Sequence, residues 1–280
     1  MSTIRIGHAQ LESKLGDFDA NLAKVVANLE RAVRDRVRIV SFPECFLTGY
    51  PDTEAEARRG AFAADSPQVM RVLDATGRFD AVVIVGFNEA RGPDLYNTAL
   101  IAYRGHLLGT YSKCSAYQAF HKQGREFPVF EHEGVKFGVV ICSDGGYIEP
   151  TRLLALQGAK IVFAPHYNYL PKEALIAHYR RVRHDHIARA VENCLHFVRG
   201  NNVSRGRDPA FSQSDGVGYG DSYIVDPSGQ FLAASRLHQE DFIFADVDPS
   251  IRDTMWGAGH SLWSAREFGE RLREIASARE

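Results

Sequence analysis

Apolar and polar positions along this chain change period repeatedly, and the changes trace an alternation of strands and helices. Residues 4–9 alternate as a strand. Residues 21–37 place Leu22, Val26, Leu29 and Val33 on one face and predict an amphipathic helix. A short strand follows over 38–42 and stops at Pro43, which cannot continue a central ladder. The run AVVIVGF at 81–87 is apolar throughout, the mark of a strand covered on both faces. Residues 98–103 and 106–111 flank Arg104-Gly105 and predict a hairpin. A second covered strand spans 135–142, then a helix over 149–157, a stop at Gly158-Ala159 and a strand over 161–164. A long helix is expected over 172–193, its apolar stripe built on Leu175, Tyr179, Val182, Ile187 and Val191. Strands at 195–199, 223–225, 231–234 and 242–247 complete the pattern, with Asp226-Pro227-Ser228-Gly229 as turn chemistry between two of them.

No short repeat, low-complexity linker or shift of composition divides the chain, so one α/β domain over 1–249 is expected. The glycine- and charge-rich stretch 204–220 reads as one long loop, which inside a compact domain is more often functional than idle. From residue 250 a tail carries Trp256, Trp263 and a charged helix, expected to dock on the body or on a neighbouring subunit. With 33 basic and 35 acidic residues the net charge is −2, which gives no electrostatic reason to expect nucleic acid or an anionic membrane as partner. Arg180, Arg181 and Arg183 read as a solvated or subunit-facing helix side. The apolar runs are too short to span a bilayer, and the first residues lack a secretory core, so the cytoplasm is the expected compartment. Four cysteines without CxxC spacing argue against zinc ribbons and disulfide scaffolds. His184, Asp185 and His186 with His178 make a poor metal set, because i and i+2 do not share a helix face.

Three reactive residues sit where a strand runs into a loop. Glu44 in FPEC follows the strand at 38–42, where partial desolvation suits a carboxylate to acid–base work. Lys113 in YSKC follows the hairpin, where a fixed positive charge can serve a developing oxyanion. Cys142 in GVVICSDGG ends a covered strand and enters a glycine-rich turn before a helix, the arrangement of a nucleophile elbow. Each alone has a bland alternative: a loop-capping glutamate, a solvated lysine, an inert buried cysteine.

Together, in the order Glu, Lys, Cys, they resemble the nitrilase superfamily of carbon–nitrogen hydrolases. The resemblance rests on Glu44 in SFPECFLTGYP, Lys113 in YSKCSAY and Cys142 in GVVICSDGGYIEPTR. Glu149 and Arg152 fall where the family's C-x-D-x-x-F-P-E-x-x-R run has its acid and base, and ARAVEN at 188–193 matches the family's R-A-x-E-N helix end. Gly220-Asp221-Ser222 and VDPSG at 225–229 match its later G-x-S…D-P-x-G segment, so the likeness covers roughly 3–248. It implies a four-layer α-β-β-α sandwich with two similar halves, paired through helices into homodimers or larger homo-oligomers.

The resemblance also implies a mechanism without metal or organic cofactor. Cys142 attacks a small amide, Glu44 takes the thiol proton and returns it to the leaving group, and Lys113 with the Ser143 N–H stabilises the oxyanion. Two departures bear on the substrate. Ile148 stands where the family usually has proline, and no acid lies between Lys113 and Gly124, where many members carry a second glutamate. Either a neutral polar group, Tyr117, Gln118 or His121, then fills that role, or the site is tuned differently, with Glu126 able to serve only after a rearrangement of the loop. Ser143-Asp144 after the nucleophile leans toward amides or N-carbamoyl compounds, with a nitrile-cleaving enzyme or a catalytically silent binding protein as the alternatives. Tyr50, Tyr117, His121, Ser143, Tyr147, His166, Tyr167 and Asn168 are the expected substrate contacts.

Overall fold

The computed structural model describes residues 3–204, 216–251 and 264–277. In chain order the elements are β1 (Ile4–Gln10), α1 (Phe18–Arg34), β2 (Ile39–Ser41), α2 (Glu54–Gly60), α3 (Pro67–Thr76), β3 (Val82–Arg91), β4 (Asp94–Tyr103) and β5 (His106–Ser112). The chain continues with β6 (Val129–His132), β7 (Val135–Val139), α4 (Ile148–Leu156), β8 (Ile161–Pro165), β9 (Leu170–Pro171), α5 (Leu175–Asn193) and β10 (His196–Gly200). It closes with β11 (Val203–Ser204), β12 (Gly216–Tyr219), β13 (Tyr223–Val225), β14 (Phe231–Ala234), β15 (Asp241–Val247) and α6 (Ala265–Ser277).

Two six-stranded sheets dominate, ordered β15-β1-β2-β3-β4-β5 and β14-β13-β10-β8-β7-β6. Each has three parallel strands at its centre, β1-β2-β3 in one and β10-β8-β7 in the other, with antiparallel strands outside. Alternation of side chains along these strands feeds two apolar interfaces per sheet. Ile6, Ile84 and Ile101 of the first sheet meet Phe137, Phe163 and Val198 of the second, which makes the seam between the sheets. Val40, Val83 and Val85 face outward to Leu22, Val25 and Leu29 of α1 and Val69 and Val72 of α3. Val162, Phe197 and Tyr223 face Leu154 of α4 and Ala190 of α5. Three apolar seams between four layers are the expected α-β-β-α sandwich.

Several elements differ from the sequence expectation. The first helix begins at Phe18, because the Asp17 side chain caps it by accepting from the Ala20 N–H, and it ends at Arg34. Helices α2 and α3 were not expected. Only Ala57 is buried in α2, and α3 is ten residues long, too short for a firm periodicity. The strand expected over 135–142 stops at Val139. Cys142 adopts φ 49° and opens a 3-10 turn over Cys142–Gly146. The helix expected from residue 172 starts at Leu175 after a 3-10 turn; its fully buried residues are His186, Arg189, Ala190 and Asn193, while the expected apolar stripe is half-buried, with Ile187 packed against the core. The fully buried face is polar because its groups find partners: His186 Nδ1 lies 2.9 Å from the Tyr223 hydroxyl, and Arg189 donates to Glu192 and to the Tyr147 carbonyl. Of the expected loop, residues 205–215 lie outside the described residues, as do Trp256 and Trp263 of the tail. α6 buries none of its residues. Among the described residues no helix is long and apolar enough to cross a membrane.

Candidate active site

The site forms where loops leave both sheets. After β2 the Phe42 N–H still bonds to Ile84, and Pro43 then releases the chain. The Glu44 N–H donates to the His166 carbonyl, and Cys45 turns with φ 52°. That turn presses on β3 at Gly86, where a Cβ would lie 2.5 Å from the Cys45 nitrogen, so no other residue fits there. The backbone thereby drives the Glu44 carboxylate into the interior, where it is 1% exposed.

A buried carboxylate is costly unless its oxygens are bonded. Here Oε1 accepts from Lys113 Nζ at 2.6 Å and from Asn97 Nδ2 at 2.7 Å, and Oε2 accepts from the Tyr167 N–H at 2.8 Å. Lys113 is itself buried, held by its N–H on the Asn97 carbonyl and by the Gly124 N–H on its own carbonyl. Burial by itself would lower the Lys113 ammonium. The charge of Glu44, with that of Asp144 behind it, outweighs burial and holds the ammonium above its ordinary value, so it stays charged.

Cys142 sits half-buried at the head of its turn. Its φ of 49° is a strained conformation for a residue with a Cβ, and it aims the side chain out of the strand direction. Asp144 holds this turn. Fully buried, its carboxylate accepts from the Ile141 N–H at 3.0 Å, the Ser115 N–H at 2.7 Å, the Tyr111 hydroxyl at 2.7 Å and the Cys114 thiol at 3.2 Å. Burial first, and then the Glu44 carboxylate within hydrogen-bond reach, push the Cys142 thiol up to about 12, while Lys113 acts the other way without cancelling them. At rest Cys142 is therefore a protonated thiol beside a carboxylate able to take a proton, with the Lys113 ammonium on the same carboxylate.

The other expected contacts divide. Tyr50 is buried and stacks on Tyr167, ring centroids 4.5 Å apart, next to the carboxylate and thiol. Asn168 directs Nδ2 to the Cys142 sulfur at 3.7 Å. The Ser143 hydroxyl donates to the Ser115 carbonyl at 2.8 Å, which ties the Cys142 turn to the loop after Lys113. His166 is buried, with Nδ1 2.6 Å from the Ala164 carbonyl and its ring against His186; it serves the site through its backbone carbonyl. His121 is buried too, and its Nε2 is engaged 2.9 Å from Asn88 Oδ1; burial lowers its pKa to about 4, which keeps it neutral. Tyr117 and Tyr147 are 78% and 56% exposed. Sequence reasoning did not single out Asn97, the second donor on Glu44; its one signal is an amide inside the apolar strand DLYNTALIAY. Arg199, buried in β10 and bonded to Asn168, was likewise unforeseen.

The family model for carbon–nitrogen hydrolases matches residues 5–255. A glutamine-dependent NAD(+) synthetase of Thermotoga maritima is 28% identical over 261 residues, 89% of this chain but 42% of the synthetase, so this chain spans less than half of that relative's length. A probable nitrilase of Schizosaccharomyces pombe is 27% identical over 255 residues, 87% of this chain and 88% of the relative. Among solved structures, a variant of the amidase from Nesterenkonia sp. AN1, carrying the acetamide moiety of fluoroacetamide on its active-site cysteine, superposes with a TM-score of 0.76 at 21% identity over 96% of this chain and 97% of that one.

Proposed function

The chain belongs to the carbon–nitrogen hydrolase family, and on that premise we propose that it hydrolyses a non-peptide C–N bond in a small amide or N-carbamoyl compound through a Cys142 thioester. The observation that carries this reading is the buried Glu44 carboxylate, held from three sides and set beside a protonated thiol. As the Cys142 sulfur attacks the carbonyl carbon, its proton passes to Glu44 and the carbonyl oxygen becomes an oxyanion facing Lys113. Glu44 then gives the proton to the departing ammonia or amine. A water attacking the thioester returns a proton to Glu44, and the acid product leaves with the thiol restored. The steps call for no metal or cofactor. Tyr50 and Tyr167 wall the substrate, with Ser143 shaping the turn and Tyr117 and Tyr147 further out.

Asp144 supports this reading only indirectly. Its carboxylate is occupied by four protein donors and so shapes the turn instead of meeting a substrate. Nitrile hydrolysis through the same thiol, in which two waters carry the nitrile to the acid and ammonia, is the second reading, favoured by the probable nitrilase among the relatives. A panel of short aliphatic and aromatic amides, N-carbamoyl amino acids and matching nitriles, assayed for ammonia release, separates the two. Turnover of amides or carbamoyl compounds with nitriles inert is the expected result, nitrile turnover alone would replace the proposal, and silence on all of them would favour a silent binding protein.

The partner proposed is a second copy of this chain. Tyr147, Ile148 and Leu153 around α4 and Ile176 on α5 are exposed on one helical layer, too many large apolar groups for a solvent face. Size-exclusion chromatography with light scattering should give a dimer or larger assembly, and Ile148→Asp should shift it toward monomer. A monomeric wild type at micromolar concentration would refute the pairing.

A further inference from the structure

Arg199 lies in the middle of the second sheet with no exposed surface, on the side of β10 that faces α5, as its two-residue spacing from Phe197 requires. Its guanidinium donates through one terminal nitrogen to the Gly220 and Asp221 carbonyls and through the other to Asn168 Oδ1 at 2.6 Å and the Tyr219 hydroxyl at 3.1 Å. Asp221 Oδ2 is 4.0 Å away and is shared with Arg183, and Nε has no partner among the described residues. A buried cation with an orphaned donor is poor material for stability, since an apolar side chain of similar volume would serve the sheet as well. Its grip on Asn168 needs another reason.

That grip decides which way an amide points. A guanidinium has donors and no acceptor, so only the carbonyl oxygen of the Asn168 side chain can face it. The amide NH2 must then face the opposite way, and what lies there is the Cys142 sulfur at 3.7 Å. The side chain is not needed to place its own loop, because the Asn168 backbone N–H is already held by Asn202 Oδ1 at 2.7 Å and Asn201 Oδ1 at 3.2 Å.

Building on the nucleophilic role of Cys142, we propose that Arg199 is a positioning residue that locks the Asn168 amide as a hydrogen-bond donor to the Cys142 sulfur. When the thiol proton moves to Glu44 and negative charge gathers on sulfur, the Asn168 N–H meets that charge without turning, whereas an unclamped amide would present its oxygen part of the time and repel it. Lys113 serves the substrate oxygen, and Asn168 serves the sulfur. The clamp also ties the nucleophile to the strand end at Tyr219 and Asp221.

The test reads the sulfur directly. Cys142 alkylation by iodoacetamide is followed by peptide mass spectrometry across pH, in wild type, Asn168→Ala, Arg199→Met and the double variant. Asn168→Ala is expected to slow alkylation at neutral pH about tenfold and to move the rate profile to higher pH, the effect of one lost hydrogen bond to a charged group. Arg199→Met should slow it about threefold in the wild-type background and not at all once Asn168 is alanine. Asn168→Ala alkylated like wild type would overturn the proposal, and so would an Arg199→Met effect of the same size in both backgrounds. If Arg199→Met does not fold, Arg199→Lys, which keeps the charge and loses the fork, takes its place, and Asn168→Ala still decides the donor. Alkylation needs no substrate, so a protein inert toward every amide would undo the proposed activity and leave this result standing.

Discussion

Cys142→Ala should lower ammonia release by about 10⁴-fold or more, because without the thiol no thioester can form and the remaining groups have no nucleophile to serve. The loss should come without unfolding. Cys142 is half-buried, alanine tolerates the backbone conformation about as well as cysteine, and the turn is held by Asp144. The measurement is kcat on whichever substrate the panel yields, with the melting temperature as control. A Cys142→Ala protein that folds and turns over near the wild-type rate would sink the thioester mechanism, and Cys45, Cys114 and Cys194 would have to be tried in turn. Cys45 and Cys114 are poor substitutes: Cys45 is fully buried with its thiol directed at Asn88, and the Cys114 thiol is engaged by the Asp144 carboxylate.

Lys113→Met should damage both stability and rate. Removing the ammonium leaves Glu44 buried with one strong partner fewer, and breaking a buried pair from one side typically costs about 3–5 kcal/mol. The Asn97 and Tyr167 donors remain and hold the loss toward the lower end. Loss of the oxyanion's cation should lower kcat about 10²- to 10³-fold. Urea unfolding measures the first effect and substrate kinetics the second. The two separate in Glu44→Gln/Lys113→Met, where no unpaired buried charge is left: stability should largely return while activity stays absent. Stability that does not return would refute the buried-pair account, and full activity in Lys113→Met would remove the ammonium from the oxyanion role.

The parts of the site written in local chain chemistry could be read in advance. Glu44, Lys113 and Cys142 each follow an apolar run that stops at a turn, and such a stop is a property of a few adjacent residues. Asn97 could not be assigned this way, because an amide in a strand faces one side or the other according to register, and register is set by pairing with β3 and β5. His121 was expected among the substrate contacts; its ring nitrogen is instead engaged by Asn88 across a sheet edge, a partner 33 residues away.

The α5 face makes the same point for packing. Its apolar stripe could be counted from the sequence, yet the structure buries His186, Arg189 and Asn193, because Tyr223 of the sheet offers its hydroxyl to His186, the Tyr147 carbonyl before α4 accepts from Arg189, and Asn193 donates to the Arg189 carbonyl of its own helix. Alone, the sequence determined the alternation of strands and helices apart from α2 and α3, together with the sheets' covered strands, and it marked three candidate residues at strand ends, since period and turn chemistry are local. Tertiary structure alone decided which oxygen of Glu44 meets Lys113, that Asp144 braces the turn, and that Arg199 aims Asn168 at the thiol. Apart from Asp144 and Ile141, three positions apart, those contacts join residues 26 to 69 positions apart, and only the folding of the sheets brings such groups within hydrogen-bond distance.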